Sequence, residues 1–545
     1  MLENVMPEKE FNLLHEPWIK VMLADGSIQE VSLLEVFTKA PQIKRLAGEL
    51  PAQNVAVMRL LLAIMHAAFV TKDELGDDIN GAVGLWKDLW EEKAFPENVI
   101  QDYLIEYEER FWLFHPTTPF YQVADLEERM RKYKENKGKK VKDEEKLKTV
   151  ARLIGELCQS DNLKRLFPNR TGEEQQTLSY SEAARWLLYL NGFDDDSAKM
   201  PTPKGCGYLG QLGLVYAEGK NLFETLMLNF VLADNSLQIF ADSDPNSKAY
   251  WEKPAEAIIE RNIAQPNAQK DLLTLQSRLI LLKRDNCRVI GYLLTMGDYV
   301  EKGESLLNEQ MTLWKREEKT NDFIPKKHRK ERQLWRDFAS LISTDAGTER
   351  NAGVVEWLRL LQNAGLLTDN MIKLSIAGVC YKLKGAGWQV VDFVDDSLQI
   401  NRHILENDLK EWASEITIAL EYTDKLVKYL GAFAVKLVDA GGNRGDNLKD
   451  NEKKAAYEAA ATNCYYALDH LFRNWLAGID PGKDKMSEKM QEWKDKAKKL
   501  ILDEGDDMLE ACDTKTMLGY VREDGSVNNG FIAQAQFIHT VNKVV

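Results

Sequence analysis

The chain has 545 residues, and its 71 Lys and Arg stand against 86 Asp and Glu, a formal net charge of −15. With 44% hydrophobic and 29% charged residues, it has a globular composition and the length for more than one domain, which excludes disorder throughout. The acidic balance also excludes a generally cationic coat for nucleic acid or membrane, though not a local basic stripe.

From Phe11 the chain reads as two short strands turning at Asp25 and Gly26, after which Ser32 caps a short helix over 33–37. Residues 52–70 form a strong helix; its apolar core, 55–70, carries Arg59 and His66 and is too short and polar to span a bilayer. A second helix covers 82–93, with Trp86 and Trp90 at i, i+4, and a third runs over 98–114 until Pro116 stops it. Ten Lys or Arg residues fall between Arg129 and Lys148, a run that reads as a solvated insertion, with phosphate contact as the alternative. Residues 200–219 are glycine-rich and precede a helix over 221–232. They match neither a dinucleotide fingerprint nor a P-loop, so the glycines read as a linker or as a loop that lets a ligand backbone approach closely.

A hairpin follows over 277–283 and 288–296, then a basic stretch from Trp314 through 326–332, and helices over 334–344 and 351–363. Residues 372–381 and 388–398 form a second hairpin, with Lys384, Gly385, Ala386 and Gly387 at its tip. Beyond Arg402 the pattern becomes helical: Leu409, Trp412, Ile416, Leu420, Val427, Leu430, Ala434 and Leu437 make one apolar stripe. Further helices carry Tyr457 to Trp475, then 486–511 and 528–543. The predicted fold class is therefore α+β. A large mixed N-terminal domain over 1–402, with short sheets and hairpins among helices, precedes a C-terminal four-helix bundle over 403–545.

An enzyme needs a nucleophile with its base, a metal cluster or a paired-carboxylate motif. The histidines are scattered; His66 on its apolar helix reads as a core residue, and His115, before a proline turn, as a packing or capping one. Glu16, beside His15, falls in a predicted strand, away from any helix face. Asp194-Asp-Asp and Asp506-Asp read as solvated acids, with Mg²⁺ ligation as the sharper alternative. Cys158, Cys206, Cys287, Cys380, Cys464 and Cys512 lie far apart with no C-x-x-C pair, and read as six buried thiols in a reducing cytoplasm. The expectation is a soluble cytoplasmic protein with no catalytic constellation, metal or cofactor. Binding is what remains, and Lys164-Arg-Leu-Phe-Pro-Asn-Arg170 and the surroundings of Tyr208 interleave aromatic and basic residues as a nucleic-acid contact does.

The opening Phe11-Asn-Leu-Leu-His-Glu-Pro-Trp-Ile resembles the N-L-L-x-x-x-W-I start of the CasA family, the large subunit of the type I-E CRISPR Cascade surveillance complex. His115-Pro-Thr-Thr-Pro-Phe-Tyr-Gln122, Asn221-Leu-Phe-Glu-Thr-Leu-Met-Leu-Asn229, Met311-Thr-Leu-Trp314, the hairpin over 372–398 and the terminal bundle continue the likeness in order. The resemblance implies a non-catalytic subunit at the 5′ handle of the crRNA. By the same resemblance it is expected to read the protospacer-adjacent motif in target double-stranded DNA from the minor groove and to promote strand opening and R-loop formation. The minor groove is chemically degenerate, so several related motifs should be accepted; guide pairing then reads the target. Further implied partners are the backbone, small and handle-binding Cascade subunits and a helicase-nuclease, the bundle contacting the small subunit and helping that recruitment.

Carried onto this chain, the motif-reading glycine loop falls on Gly205, Cys206, Gly207, Tyr208 and Gly210. The wedge hairpin falls on Lys384, Gly385, Ala386 and Gly387; where relatives bear a tip glutamine, Lys384 or Gln389 stands in. The family's lysine finger lands on Gln310, with Lys315 or Arg316 as alternatives in a shifted register. The loop toward the crRNA handle and neighbouring backbone subunit falls on Leu166, Phe167, Asn169 and Arg170. Two other functions compete: a helical protein-interaction scaffold without direct DNA reading, and a metal-dependent nuclease built on Asp194.

Overall fold

The opening signature turns inward. Asn12, Leu13, Leu14, Trp18 and Ile19 are all buried; the Asn12 side chain accepts the Leu14 amide at 2.9 Å, and the Trp18 indole donates to the Leu13 carbonyl at 2.9 Å. This is seen in a computed structural model that describes residues 9–70, 79–138, 147–158, 167–195, 197–198, 200, 205–233, 247–259, 262–263, 268–300, 306–342, 350–384, 387–442, 449–522 and 524–544. The chain divides into two units. The first comprises Met1–Lys330, Gly347–Leu366 and Lys373–Ser397. The second has its main run over Leu398–Val545 and draws in Glu331–Ala346 and Leu367–Ile372 from upstream.

In the first unit, strand Glu10–Asn12 pairs antiparallel with Trp112–Phe114, which corrects the reading of 98–114 as one helix. The helix Glu97–Glu106 stops, a 3-10 turn over Glu108–Arg110 follows, and the next residues, aromatic and apolar, suit a strand better. His15 and Glu16 lie in the turn after the opening strand, so Glu16 is not in a strand either. Strands Ile19–Leu23 and Ile28–Val31 form the expected hairpin, with Gly26 at φ +86° in its turn, and Ile43–Leu46 pairs along the other edge. Ser32 caps Leu33–Thr38 in a full capping box with Glu35.

Among the described residues, Pro51–Phe69 is the one helix long and apolar enough to cross a membrane, and most of it is buried inside the protein. His66 on this helix packs 4.8 Å from the Phe230 ring, and burial, with Lys270 adding to it, pushes its pKa down from 6.5 to about 3. Its stabilising share is therefore full above pH 6.5 and declines as pH falls toward 3, because only the unfolded chain takes up the proton. The expected loss is roughly 1.4 kcal/mol per pH unit. A His66→Leu variant should lose less stability on acidification than the parent; parallel melting curves through that window would contradict this.

The hairpin of Arg278–Asp285 and Arg288–Met296 turns on Asn286 and Cys287, both at positive φ (47° and 59°), a two-residue turn that matches strand twist. Cys287 is consequently exposed, and only Cys158 and Cys464 of the six thiols are buried; the expectation of six buried thiols is corrected. A longer hairpin, Met371–Lys384 with Gly387–Asn401, carries Val215–Glu218 as a third strand in the order Gly387–Asn401, Met371–Lys384, Val215–Glu218.

The second unit is the bundle of Glu411–Ala440, Asp450–Ala477, Met486–Glu510 and Gly530–Asn542. The stripe from Trp412 to Leu437 is buried, while Leu409 lies in the 3-10 turn before the helix. Trp493 packs 4.9 Å from Phe472 and 5.2 Å from Trp475, and its indole donates to the Thr423 hydroxyl at 2.9 Å. The upstream segment adds to this core. Trp335 stacks 4.5 Å from Phe472 and donates to Asp469, in a 3-10 turn over Leu334–Asp337 and a single turn of helix over Phe338–Leu341 rather than a helix over 334–344. The architecture is α+β with a C-terminal helical bundle.

Candidate nucleic-acid interface

The glycine segment is built on the end of the helix Tyr180–Phe193, which a Ser179–Glu182 capping box starts. Gly207 donates its amide to the Asp194 carbonyl at 2.8 Å. A Cβ on Gly207 would run into the Gly192 carbonyl oxygen and stand 2.9 Å from the Asn191 carbonyl, so the loop lies backbone to backbone on the helix end. Gly205, at φ +88°, has open space where a Cβ would go. The loop is closely seated from below and open at its start.

Two buried ion pairs lie under it. Arg278 reaches Asp194 at 2.6 Å and the Gly205 carbonyl at 2.5 Å. Arg59 forks onto Glu309 at 2.8 and 3.0 Å, and the Tyr208 hydroxyl donates to the same carboxylate at 3.0 Å. Burial alone would raise the Asp194 pKa, but Arg278 and Ser197 outweigh it and hold it below 3.8. For Arg59, burial pulls the pKa down and the Glu309 charge more than reverses it. These contacts correct the reading of the Asp194 cluster as solvated. Asp194 and Asp195 are buried, the second paired with Arg152, because arginines far along the chain fold onto them; Asp196 is outside the described residues. Carboxylates already neutralised by guanidinium groups make poor Mg²⁺ ligands, and no group of three or more potential metal ligands occurs among the described residues.

Past Tyr208, which is buried, the chain makes a 3-10 turn over Leu209–Gln211. A Cβ on Gly210 would collide with the Tyr381 phenol, whose hydroxyl donates to the Phe193 carbonyl at 2.9 Å. Tyr381 belongs to the long hairpin, so the glycine loop and that hairpin touch directly. The Gly213 amide then donates to the Thr312 hydroxyl at 2.9 Å, and its carbonyl accepts from Leu313 at 2.8 Å. Leu313 in turn accepts from Lys326 at 2.7 Å. The hairpin Trp314–Arg316 with Phe323–Pro325 grows directly from this ladder. Val215–Glu218 finally pairs with the long hairpin, Ile376 opposite Val215 and Lys373 opposite Glu218. Residues 205–218 thus join the glycine loop, the finger region and the long hairpin through continuous backbone.

Gln310 is buried and donates to the Asn308 carbonyl at 2.8 Å, so its side chain is not presented as a finger. Lys315 is exposed, and Arg316 lies 4.3 Å over the Phe323 ring with a bond to the Asn321 carbonyl. Gly385 and Ala386 fall outside the described residues; Lys384 and Gly387 end their strands, and Gln389 is half-buried beyond them. Leu166 also falls outside the described residues. Phe167 is 93% exposed, whereas Arg170 is held inward by Glu156 at 2.7 Å and Glu182 at 2.8 Å, with Asn169 on Glu156. Arg170 therefore shapes the loop that Phe167 tops. Of the basic run over 129–148, the helix Leu126–Asn136 pairs Arg129 with Asp125 and Lys132 with Glu128, and 139–146 is outside the described residues.

Sequence reasoning did not attach the basic run over 326–330 to this site. His328 bonds the Leu214 carbonyl at 2.8 Å and its ring faces Gly378 of the long hairpin, while Lys330 pairs with Asp392 at 3.2 Å. Lys327 and Arg329 are exposed beside the glycine segment. The charge run was visible in the sequence, but its neighbour Gly213 lies more than a hundred residues upstream.

Residues 12–503 match the family model of CRISPR-associated protein Cse1. A CRISPR-associated protein CasA/Cse1 of Thermus thermophilus is 26% identical over 485 residues, covering 87% of this chain and 88% of that protein. Among solved structures, Cse1 of Thermobifida fusca is similar with a TM-score of 0.80 and 29% identity, covering 100% of this chain and 99% of that one. A chain of a CRISPR RNA-guided surveillance complex has the same fold at a TM-score of 0.71 and 15% identity, covering 98% and 100%.

Proposed function

The chain belongs to the CasA/Cse1 family of Cascade large subunits, and on that premise we propose that it is a non-catalytic subunit that reads the protospacer-adjacent motif in target duplex DNA. In this reading the glycine loop lies against the minor groove, the Lys315 and Arg316 hairpin reaches into it, and the long hairpin parts the first base pairs for R-loop formation. Phe167 and its loop face the crRNA handle and backbone subunit. The bundle engages the small subunit and helps recruit the helicase-nuclease.

The observation that carries this reading is the shared backbone of residues 205–218, which stitches the glycine loop to both hairpins. A motif bound at the loop is thereby mechanically connected to the element that opens the duplex. Lys315, Lys327 and Arg329 are exposed around it and suit phosphate contacts, which position a protein on duplex without reading sequence. Gly207 and Gly210 let the loop seat directly on the helix end and on the long hairpin, which fixes the backbone offered to the minor groove. The buried Tyr208 and Gln310 support the surface from beneath.

A complex assembled without this chain should lose duplex binding and keep its crRNA, and the purified chain with Mg²⁺ should leave duplex intact. Cleavage would favour the nuclease reading, and unaltered duplex binding would favour a protein-interaction scaffold. At the hairpin, Lys384→Glu is expected to slow strand opening more than initial duplex binding, read by a base-analogue fluorophore beside the motif. Equal effects on both would count against a wedge.

A further inference from the structure

We propose that the two buried ion pairs beneath the glycine loop, Arg278–Asp194 and Arg59–Glu309, are positioning elements that set motif discrimination, with Glu309 fixing the loop's spacing from the finger hairpin. The inference rests on the DNA-reading role argued above, and none of these four side chains would touch DNA.

All four are almost fully buried, with side chains 1–2% exposed. Removing charges from water costs several kcal/mol per ion, and packed apolar residues of the same volume often stabilise a fold as well or better. Stability alone is thus a weak reason for two such pairs under one short loop. Their bonds run to the loop itself. Arg278 holds the Gly205 carbonyl, and Asp194's own backbone carbonyl takes the Gly207 amide. Glu309 does more. It accepts twice from Arg59 on the helix Pro51–Phe69, once from the Tyr208 hydroxyl in the loop, and once from the Met311 amide at 3.0 Å, three residues before the finger strand.

One carboxylate therefore measures the distance between the loop and the finger against a helix that is itself buried. Burial and the adjacent Glu309 charge push the Tyr208 phenol well above its ordinary pKa, so it remains a hydrogen-bond donor. Directional bonds of this kind fix a single backbone position, while apolar packing tolerates sliding. A site that reads through its backbone needs placement within roughly half an ångström.

Tyr208→Phe removes one hydroxyl and keeps the ring. In the reconstituted complex it should lower the ratio of affinities for accepted over rejected motifs by about three- to tenfold, with assembly on crRNA unchanged. Arg59→Met combined with Glu309→Leu removes the pair without stranding a charge, and should lower that ratio further while melting below the parent, because the Tyr208 hydroxyl and Met311 amide lose their acceptor. A wild-type ratio in Tyr208→Phe overturns the proposal, as does a wild-type ratio in a folded double variant; if the double variant does not fold, Tyr208→Phe decides alone. A parent complex with no motif preference would instead remove the DNA-reading role, and this proposal with it.

Discussion

Gly207→Ala is expected to cost the assembled complex at least about tenfold in affinity for a motif-bearing duplex, with a smaller loss in Gly205→Ala. The new methyl at position 207 would meet only backbone: the Gly192 carbonyl, with its carbon at 2.6 Å, and the Asn191 oxygen at 2.9 Å. No side-chain rotamer can relieve that, so the loop must lift from the helix end and give up the amide bond to Asp194. Overpacking of this kind costs about 1–3 kcal/mol, and here the displacement falls on the surface that meets DNA. At Gly205 the space is open and the penalty is the positive φ alone, about 1–2 kcal/mol of local strain. Equilibrium binding of one duplex to the two variant complexes compares them directly. Equal losses would show that the helix contact does not set the loop.

Arg278→Met is expected to destabilise the chain by about 3–5 kcal/mol, because it leaves the buried Asp194 carboxylate without its cation. Asp194 would keep the hydroxyl and amide of Ser197, which do not balance a charge. Adding Asp194→Leu should recover much of the loss, a pattern that thermal melting of the single and double variants reads. The pH dependence has a definite sign. Arg278 holds the parent's carboxyl below 3.8, whereas burial without that cation raises it in Arg278→Met, so the parent's advantage is full only above the variant's raised value and shrinks as acid protonates Asp194 in the variant first. A gap that stays constant on acidification would mean that the pair is not the cause.

Local patterns in the sequence carried the long helices, the two hairpins and the bundle. Trp412 to Leu437 make a stripe that has one physical solution, burial against other helices. What was not legible depends on distant partners. Nothing in Trp112-Leu-Phe114 announces that Glu10–Asn12 will pair with it, and helical propensity carried the reading past the true end of the helix. The Asp194 cluster looked solvated because Arg152 and Arg278 lie far from it in sequence yet bury it. Tyr208, an aromatic among glycines, looked like a surface contact, and Glu309 in the core is what claims its hydroxyl. The candidate site was legible as segments; their union through 205–218 was not, since a strand ladder to 311–313 and 373–376 has no local signature.

If this chain reads a motif in duplex DNA through its glycine loop, the affinity of the complex must depend on that motif. The most direct test is equilibrium binding of the reconstituted complex to duplexes carrying every trinucleotide motif beside one fixed target. The expected result is a ranked series with a few related motifs accepted, and a ranking that flattens in the Gly207→Ala complex. Equal affinity for all motifs, or a ranking untouched by that substitution, would contradict it.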